Sequence, residues 1–156
     1  MRFYKIFNEK ENHNKLQYHT GLNIDPIPFN PSGTCTSGGM YYAQKDILAF
    51  LRYGPWIREV TLCPDSHIYK DPGYGTEKWK TDKFVLGERK RINSKIIKEL
   101  IQEGANVHAQ EDYALRWASD AGHLEVVKIL LENGADVHAY EDCALRWASE
   151  FEHLEV

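Results

Sequence analysis

The stretch HAQEDYALRWAS at positions 108–119 decides the fold, because it returns thirty residues later as HAYEDCALRWAS at positions 138–149. The same period relates the segment HLEV at 123–126 to its copy at 153–156. Self-similarity at a fixed period is the sequence signature of a repeat architecture. Neighbouring units are therefore expected to stack, because one such unit cannot bury its apolar faces alone.

An earlier half unit precedes these two copies. The segment IIKELIQEGAN at 96–106 aligns with VVKILLENGAD at 126–136, one period later. We therefore divide residues 91–156 into one half unit, one full unit at 108–137 and one truncated unit at 138–156.

Each unit predicts two short antiparallel helices. Asp112, and Asp142 one period later, stand where an N-cap side chain can accept hydrogen bonds from the amides of the first turn. After a break at Gly122, leucines and valines recur at helical spacing and predict a second, amphipathic helix. Gly134 is expected to end that helix, because the C′ position of a helix usually needs a positive φ.

The segment GHLEVVKILLENGADVHA at 122–139 resembles the second half of an ankyrin repeat and the loop after it. The resemblance covers residues 92–156. The sequence is also similar to the ankyrin-repeat proteins of mimivirus-like giant DNA viruses. It implies an α-solenoid and a non-enzymatic protein that binds other proteins. Two features depart from the family: the period is 30 residues rather than about 33, which shortens the finger loop, and YALR at 113–116 replaces Thr-Pro-Leu-His.

The resemblance also implies where a partner would bind. The variable surface of the family lies on the finger loops and at the ends of the first helices. The candidate contact residues at those positions of this sequence are Gln110, Tyr140, Asp120, Ala121, Glu150 and Phe151.

Two pairs of large side chains in the repeats have competing interpretations. Trp117 and Trp147 are either interface anchors or a buried stack, and we favour the stack because both stand where the family has a buried leucine. Arg116 and Arg146 are either a basic ladder for an acidic ligand or members of local salt bridges, and we favour the salt bridges.

Composition excludes several classes of protein. The chain has 156 residues, of which 42% are apolar and 27% charged, which is typical of a soluble globular protein and not of a disordered one. It contains neither an apolar run of the roughly 18 to 20 residues needed to span a membrane nor a secretory signal. Three cysteines are an odd and sparse set, so we expect reduced thiols and an intracellular protein, in the host cytoplasm or nucleus if it is viral.

The net charge of −4 hides a division within the chain. Residues 1–90 carry 13 Lys+Arg against 10 Asp+Glu, whereas residues 91–156 carry 6 against 13. Nucleic-acid binding needs clustered cations, so the acidic repeats disfavour it. We expect an unidentified protein partner, of the host cell if the protein is viral, and no cofactor, metal or membrane.

Residues 1–90 predict a small α+β module. A helix at 46–53 should end at Gly54, and the polar stretch 87–94 marks the boundary with the repeats. We expect this module to cap the N-terminal end of the repeats. The runs that predict strands are 2–7, 39–43, 57–62, 67–69 and 83–86.

Three kinds of side-chain chemistry can be considered in this module. Cys35, Cys63, His19 and His67 could ligate zinc, and Cys63 with His67 could form a nucleophile and base, but single pairs without a CxxC motif favour buried thiols. The lysines of KWKTDK at 78–83 could touch RNA, although one solvated face of a strand explains them better.

A further possibility is an enzyme that binds NAD. HTG at 19–21 and GGMYY at 38–42 resemble the NAD-binding strands of ADP-ribosyltransferases, although no matching pair of catalytic glutamates follows. The alternative to a non-catalytic protein is therefore an ADP-ribosyltransferase-like enzyme head that the repeats target. Convergence of His19, Tyr41 and His67 on one pocket would favour it.

The sequence stops at Val156, inside the predicted second helix of the last unit. We expect a truncated member of a longer family, because no polar capping unit follows. The apolar faces of Leu145, Trp147 and Leu154 would then lie partly in water, and self-association through this end is expected.

Overall fold

A computed structural model describes residues 1–13, 15–73, 75–150, 153 and 155 of the chain. Within these residues, an antiparallel β-sheet with one 3₁₀ helix precedes four α-helices. The predicted order, a β-rich module with one short helix followed by helical units, is therefore present.

The strands of the described chain form one large sheet and one small hairpin. Their bounds are β1 (Phe3–Phe7), β2 (Asn12–His13), β3 (Leu16–Gln17), β4 (Gly21–Ile24), β5 (Met40–Ala43), β6 (Trp56–Leu62), β7 (Ile68–Lys70), β8 (Lys78–Thr81), β9 (Lys83–Leu86) and β10 (Lys90–Arg91). The large sheet is antiparallel throughout in the order β4-β9-β6-β1-β5-β8-β7, and β10 pairs with β6. The hairpin consists of β2 and β3.

All five predicted strands are confirmed, with bounds that shift by at most one residue for β1, β5, β6 and β7 and by none for β9. Sequence alone did not identify β2, β3, β4 or β10, and it placed the lysines of β8 on the solvated face of a strand. The unpredicted strands have two to four residues each, and β4 and β10 are fixed by pairing with distant segments, as Leu22 of β4 is with Val85 of β9. β10 extends the sheet to Arg91, at the predicted boundary.

The two faces of the large sheet bury different clusters. Phe7, Met40, Val60 and Phe84 lie in a cluster on one face, together with Tyr18. The other face contributes Tyr4, Ile6, Ala43 and Ile57 to a cluster that it shares with the helices. The sheet therefore forms one wall of the core on which the repeats pack.

The predicted helix at 46–53 is present as the 3₁₀ helix Lys45–Tyr53. It buries Ile47, Leu48 and Leu51 and ends at Gly54. A Cβ at Gly54 would lie 2.2 Å from the carbonyl oxygen of Phe7, so only glycine allows the chain to pass this close to β1.

The four α-helices are α1 (Ser94–Gln102), α2 (Ala109–Asp120), α3 (Leu124–Glu132) and α4 (Ala139–Glu150). The side chain of Asn93, and not Ser94, caps α1 by accepting from the amide of Ile96 at 3.0 Å. Gly134 has a φ of 88°, and the next amide donates to the carbonyl of Leu130, as predicted for a glycine-terminated helix.

The first helix of each unit opens with a left-handed turn that the sequence did not predict. Gln110, Glu111 and Asp112 all have φ between 54° and 56°, and the three equivalent residues of α4 repeat this conformation. Each such residue costs roughly 1–2 kcal/mol relative to the right-handed conformation, so the turn needs compensating contacts. It stands where the family places its finger.

Asp112 supplies one of these contacts, and its predicted role as an N-cap is wrong. Its buried carboxylate accepts from the backbone amide of Asp136 at 2.9 Å and from the ring of His108 at 3.1 Å. The bond to Asp136 joins the first helix of one unit to the loop before the next. Asp142 is exposed and bonds the ring of His138, whose pKa it raises.

The 3₁₀ helix occupies the place that a first helix would have in a preceding unit. Asn106 is one period before Asp136, and its amide donates to the carbonyl of Lys45 at 2.7 Å. Its side chain also donates to the carboxylate of Asp46 at 3.1 Å. The 3₁₀ helix packs along α2, just as α4 does on the other side.

The expectation that the head caps the repeats can be tested with Leu48→Ala. Leu48 is 0% exposed and lies in the cluster shared with the repeats, so its truncation should cost about 2–5 kcal/mol. Ellipticity at 222 nm reports mainly α1 to α4, and its urea midpoint should fall. Leu22→Ala, at an exposed leucine of the head, should leave the midpoint unchanged. An unshifted helical transition in Leu48→Ala would contradict the capping role.

The repeat symmetry supplies a matched test of the aspartates. Asp112→Ala leaves the amide of Asp136 without its partner and should destabilise the protein by about 1–3 kcal/mol. Asp142→Ala removes only an exposed contact and should cost less than about 0.5 kcal/mol. Urea unfolding of both variants measures the difference, and equal costs would argue against a structural role for the buried carboxylate.

Candidate functional site

The first helices α2 and α4 pack side by side and carry the candidate contact residues. Gln110 and Tyr140 are exposed in their left-handed turns, so both reach solvent at the same end of the two helices. Asp120, Ala121 and Glu150 lie at the opposite end, partly or fully exposed. Phe151, the sixth candidate, lies outside the described residues.

The candidates therefore form two groups and not one cluster. The right-handed part of α2 runs from residue 113 to Asp120, which separates its ends by roughly 10 Å at 1.5 Å per residue. A partner that contacts both groups must lie along the first helices. The surface between the groups belongs to these helices.

Tyr140 is the largest exposed side chain among the candidates, at 59%. The guanidinium of Arg116, from the preceding unit, lies 4.5 Å from the centre of its ring. This cation–π contact fixes the ring while leaving most of its surface in solvent. Tyr140 thus presents an ordered aromatic ring to solvent.

Arg116 is buried, and its predicted salt bridges are wrong. Its guanidinium donates to the backbone carbonyls of Gln110 at 2.7 Å and of Glu111 at 3.2 Å. These bonds satisfy the carbonyls of the left-handed turn and compensate part of its strain. Arg146, one period later, is exposed.

The two tryptophans are partly buried, but the predicted stack is not formed. The ring of Trp117 meets that of His123 at 5.1 Å in an edge-on arrangement. Among the aromatic pairs of the described residues, none joins Trp117 to Trp147. Trp117 packs against the shared core and acts as part of the scaffold.

Equivalent positions of α2 and α4 differ in exposure. Leu115 is 1% exposed, whereas Leu145, one period later, is 50% exposed. Ser119 and Ser149 show the same difference, since Ser119 is buried and Ser149 is exposed. The α2 face with these residues is packed, whereas its α4 equivalent faces solvent.

The candidate side chains of the head do not assemble into one site. Tyr41 lines a cavity, but His19 and His67 are absent from its wall. The ring of His67 instead bonds Asp82 at 2.8 Å and stacks on Phe29. Over the described positions, no group of three potential metal ligands forms around the cysteines.

Lys80 corrects the prediction that the lysines of β8 lie on a solvated face. It is fully buried, and its ammonium donates to the Thr36 hydroxyl at 2.7 Å and the Ser32 carbonyl at 3.2 Å. Burial lowers its pKa. Lys80 thus holds the loop before β5 against the sheet.

No helix in the part of the chain that the structure describes is long and apolar enough to cross a membrane.

Comparison with known proteins identifies the repeats. A family model for ankyrin repeats in three copies matches residues 89–156. An ankyrin repeat protein of Acanthamoeba polyphaga mimivirus is 39% identical over a 135-residue alignment that covers 78% of this chain and 44% of that protein. A second ankyrin repeat protein of this virus is 34% identical over 129 residues, covering 80% of this chain and 63% of the relative.

A third mimivirus protein, an uncharacterized one, is 33% identical over 128 residues, covering 80% of this chain and 93% of its own length. No solved structure matches the chain.

The matched 78–80% of the chain exceeds what residues 89–156 can supply, so the relatives share sequence with the head as well. The chain spans about half the length of the first two relatives. The left-handed turns, glycine-terminated helices and 30-residue period belong to the matched segment. Residues 89–156 are therefore ankyrin repeats, and the chain resembles the ankyrin-repeat proteins of a giant DNA virus.

Proposed function

We propose that this chain is a non-catalytic scaffold or adaptor whose repeats bind a protein partner along the first helices. The family supports a role in protein interaction, because ankyrin units expose a continuous surface for binding other proteins. In the head, His19 and His67 lie away from the cavity that Tyr41 lines, which removes the geometric support for the ADP-ribosyltransferase-like alternative.

The observation that carries the proposal is a set of unpaired acidic side chains along α2 and α4. Glu111, Asp120, Glu141 and Glu150 lie at the two ends of these helices, and three of the four are exposed. Among the described residues, none of the four forms a salt bridge. Six of the ten carboxylates of residues 1–90, by contrast, lie in salt bridges, as Glu11 does with Arg58 at 2.7 Å.

These charges define the chemistry of the partner. Four carboxylates on neighbouring helices, in a segment with 13 acidic and 6 basic residues, attract a basic protein surface and repel a phosphate backbone. Tyr140 offers an aromatic contact beside the charges, and tyrosine is enriched where interfaces concentrate binding energy. We infer a basic protein segment that lies along the first helices.

Charge reversal tests this surface. The double variant Asp120→Lys/Glu150→Lys should reduce recovery of the partner at least tenfold in affinity capture from cell lysate with the tagged full chain, measured by quantitative mass spectrometry. Glu132→Lys is the matched control, because it reverses an exposed charge on the second helix α3. If the original chain, the double variant and Glu132→Lys recover the same partners equally, the partner does not bind along the first helices.

The exposed face of α4 supports the separate expectation of self-association. Leu145→Glu places a charge in this face and should shift the protein toward monomer in sedimentation velocity at micromolar concentration. Leu131→Glu, at a leucine of α3 that is 42% exposed, is the control and should sediment like the original chain. A chain that is monomeric before substitution would contradict the expectation.

A further inference from the structure

The large sheet is split between β1 and β5. β1 pairs with β6 at five successive positions, and β5 pairs with β8 at four. Between β1 and β5, both of which lie wholly within the described residues, the only register pair is Tyr4 with Ala43. Beyond this pair the two central strands separate, although each is well paired on its other side.

A cavity of about 250 Å³ occupies this split. Seven phenylalanine and tyrosine residues contribute to its wall: Tyr4, Phe7, Tyr18, Tyr41, Tyr42, Phe50 and Tyr53. Lys5, Lys78 and His13 are the ionisable nitrogen bases in the lining, and no carboxylate of the described residues is part of it. The cavity is therefore aromatic and cationic, and its volume lies just below the range of about 300–1,000 Å³ typical of sites for drug-sized ligands.

Lys5 reaches into the split from β1. Its ammonium donates to the carbonyl of Tyr41 at 2.8 Å, a group that a continuous β1–β5 ladder would use. It also lies 5.5 Å from the ring centre of Phe7 and 5.3 Å from that of Tyr18. An ammonium has three N–H donors, and the described residues supply one acceptor.

The charge of Lys5 is uncompensated. No carboxylate of the described chain lies within 4 Å of its ammonium, whereas Lys78 has Asp71 at 3.7 Å. Burial lowers the pKa of Lys5 to about 8, so the ammonium is still mostly charged at neutral pH. Lys80, which likewise forms no salt bridge among the described residues, donates to two acceptors, whereas Lys5 donates to one.

We propose that this cavity binds a small aromatic carboxylate, with the carboxylate on the ammonium of Lys5 and the ring among the aromatic side chains of the wall. The anion supplies the missing counterion and acceptors, and the flat apolar body fits a lining rich in phenyl and phenol rings. This site goes beyond the proposed function, because it lies in the head and does not use the acidic surface of the repeats.

Calorimetric titration of the full chain tests the proposal with benzoate and indole-3-acetate as probes and benzamide as the neutral analogue. At least one carboxylate should bind, and benzamide should bind at least tenfold more weakly than benzoate. Lys5→Met keeps the apolar stem and should weaken carboxylate binding at least tenfold. Lys70→Met removes an exposed lysine of β7, outside the cavity, and should bind like the original chain.

Several results would overturn the site: no heat of binding with either carboxylate, equal affinity for benzamide, or unchanged affinity in Lys5→Met. If circular dichroism shows that Lys5→Met does not fold, the pH dependence of benzoate binding to the original chain decides. Lys5 is protonated below its pKa of about 8, so affinity should fall as pH rises from 7 to 10. A flat profile over this range contradicts the proposal.

Other groups that face Lys5 must be separated from it in this profile. Burial raises the pKa of Tyr41 and Tyr42 to about 12 and that of Tyr18 further, and it lowers the pKa of His13, so these groups stay neutral between pH 7 and 10. The remaining ionisable groups of the lining are Tyr4, Tyr53, Lys78 and Cys35. In Cys35→Ser, benzoate affinity should still fall as pH rises from 7 to 10. If the profile of this variant is flat, the pH dependence belongs to the thiol, and the role of Lys5 is overturned.

Discussion

The structure depends on the contact between the 3₁₀ helix of the head and the helices of the repeats. Leu48 and Leu51 from the head share one buried cluster with Ile97 of α1 and Leu115 of α2. A helix pair of this kind cannot bury both of its faces, so it needs a neighbour on each side. On the N-terminal side that neighbour is the head. The backbone amide of Asn106 donates to the carbonyl of Lys45 in the head, whereas the equivalent amide of the next unit, that of Asp136, donates to the carboxylate of Asp112.

A left-handed turn takes the place of the finger in the 30-residue unit. Its three residues with positive φ reverse the chain in little space, at a conformational cost that neighbouring groups must offset. Arg116 binds two of its carbonyls, and the carboxylate of Asp112 ties it to the following unit. Both residues recur one period later as Arg146 and Asp142, which are exposed, so within the described residues only the copies in α2 make these structural contacts.

The sequence could predict the features that local chemistry determines. The glycine at the end of α3, the period and the β-branched runs of β6 and β9 each carry their own signal. It could not predict the burial of Lys80, because the Lys-Trp-Lys-Thr pattern is compatible with a solvated strand until β5 and β7 pair on its two sides. Lys5 was missed for the same reason, since only tertiary pairing shows that its strand separates from β5.

The cavity and the repeats share a wall. Tyr4, Ile6 and Ile47 line the cavity, and the same three residues belong to the cluster that supports α1 and α2. A ligand that fills the cavity therefore packs against side chains whose other neighbours are in the repeats. Because interiors are close-packed, a group that holds these side chains in place stabilises the folded state on both sides of the wall. Occupancy of the head and stability of the acidic repeats are thus thermodynamically linked, even though their surfaces differ in charge and in the ligands they suit.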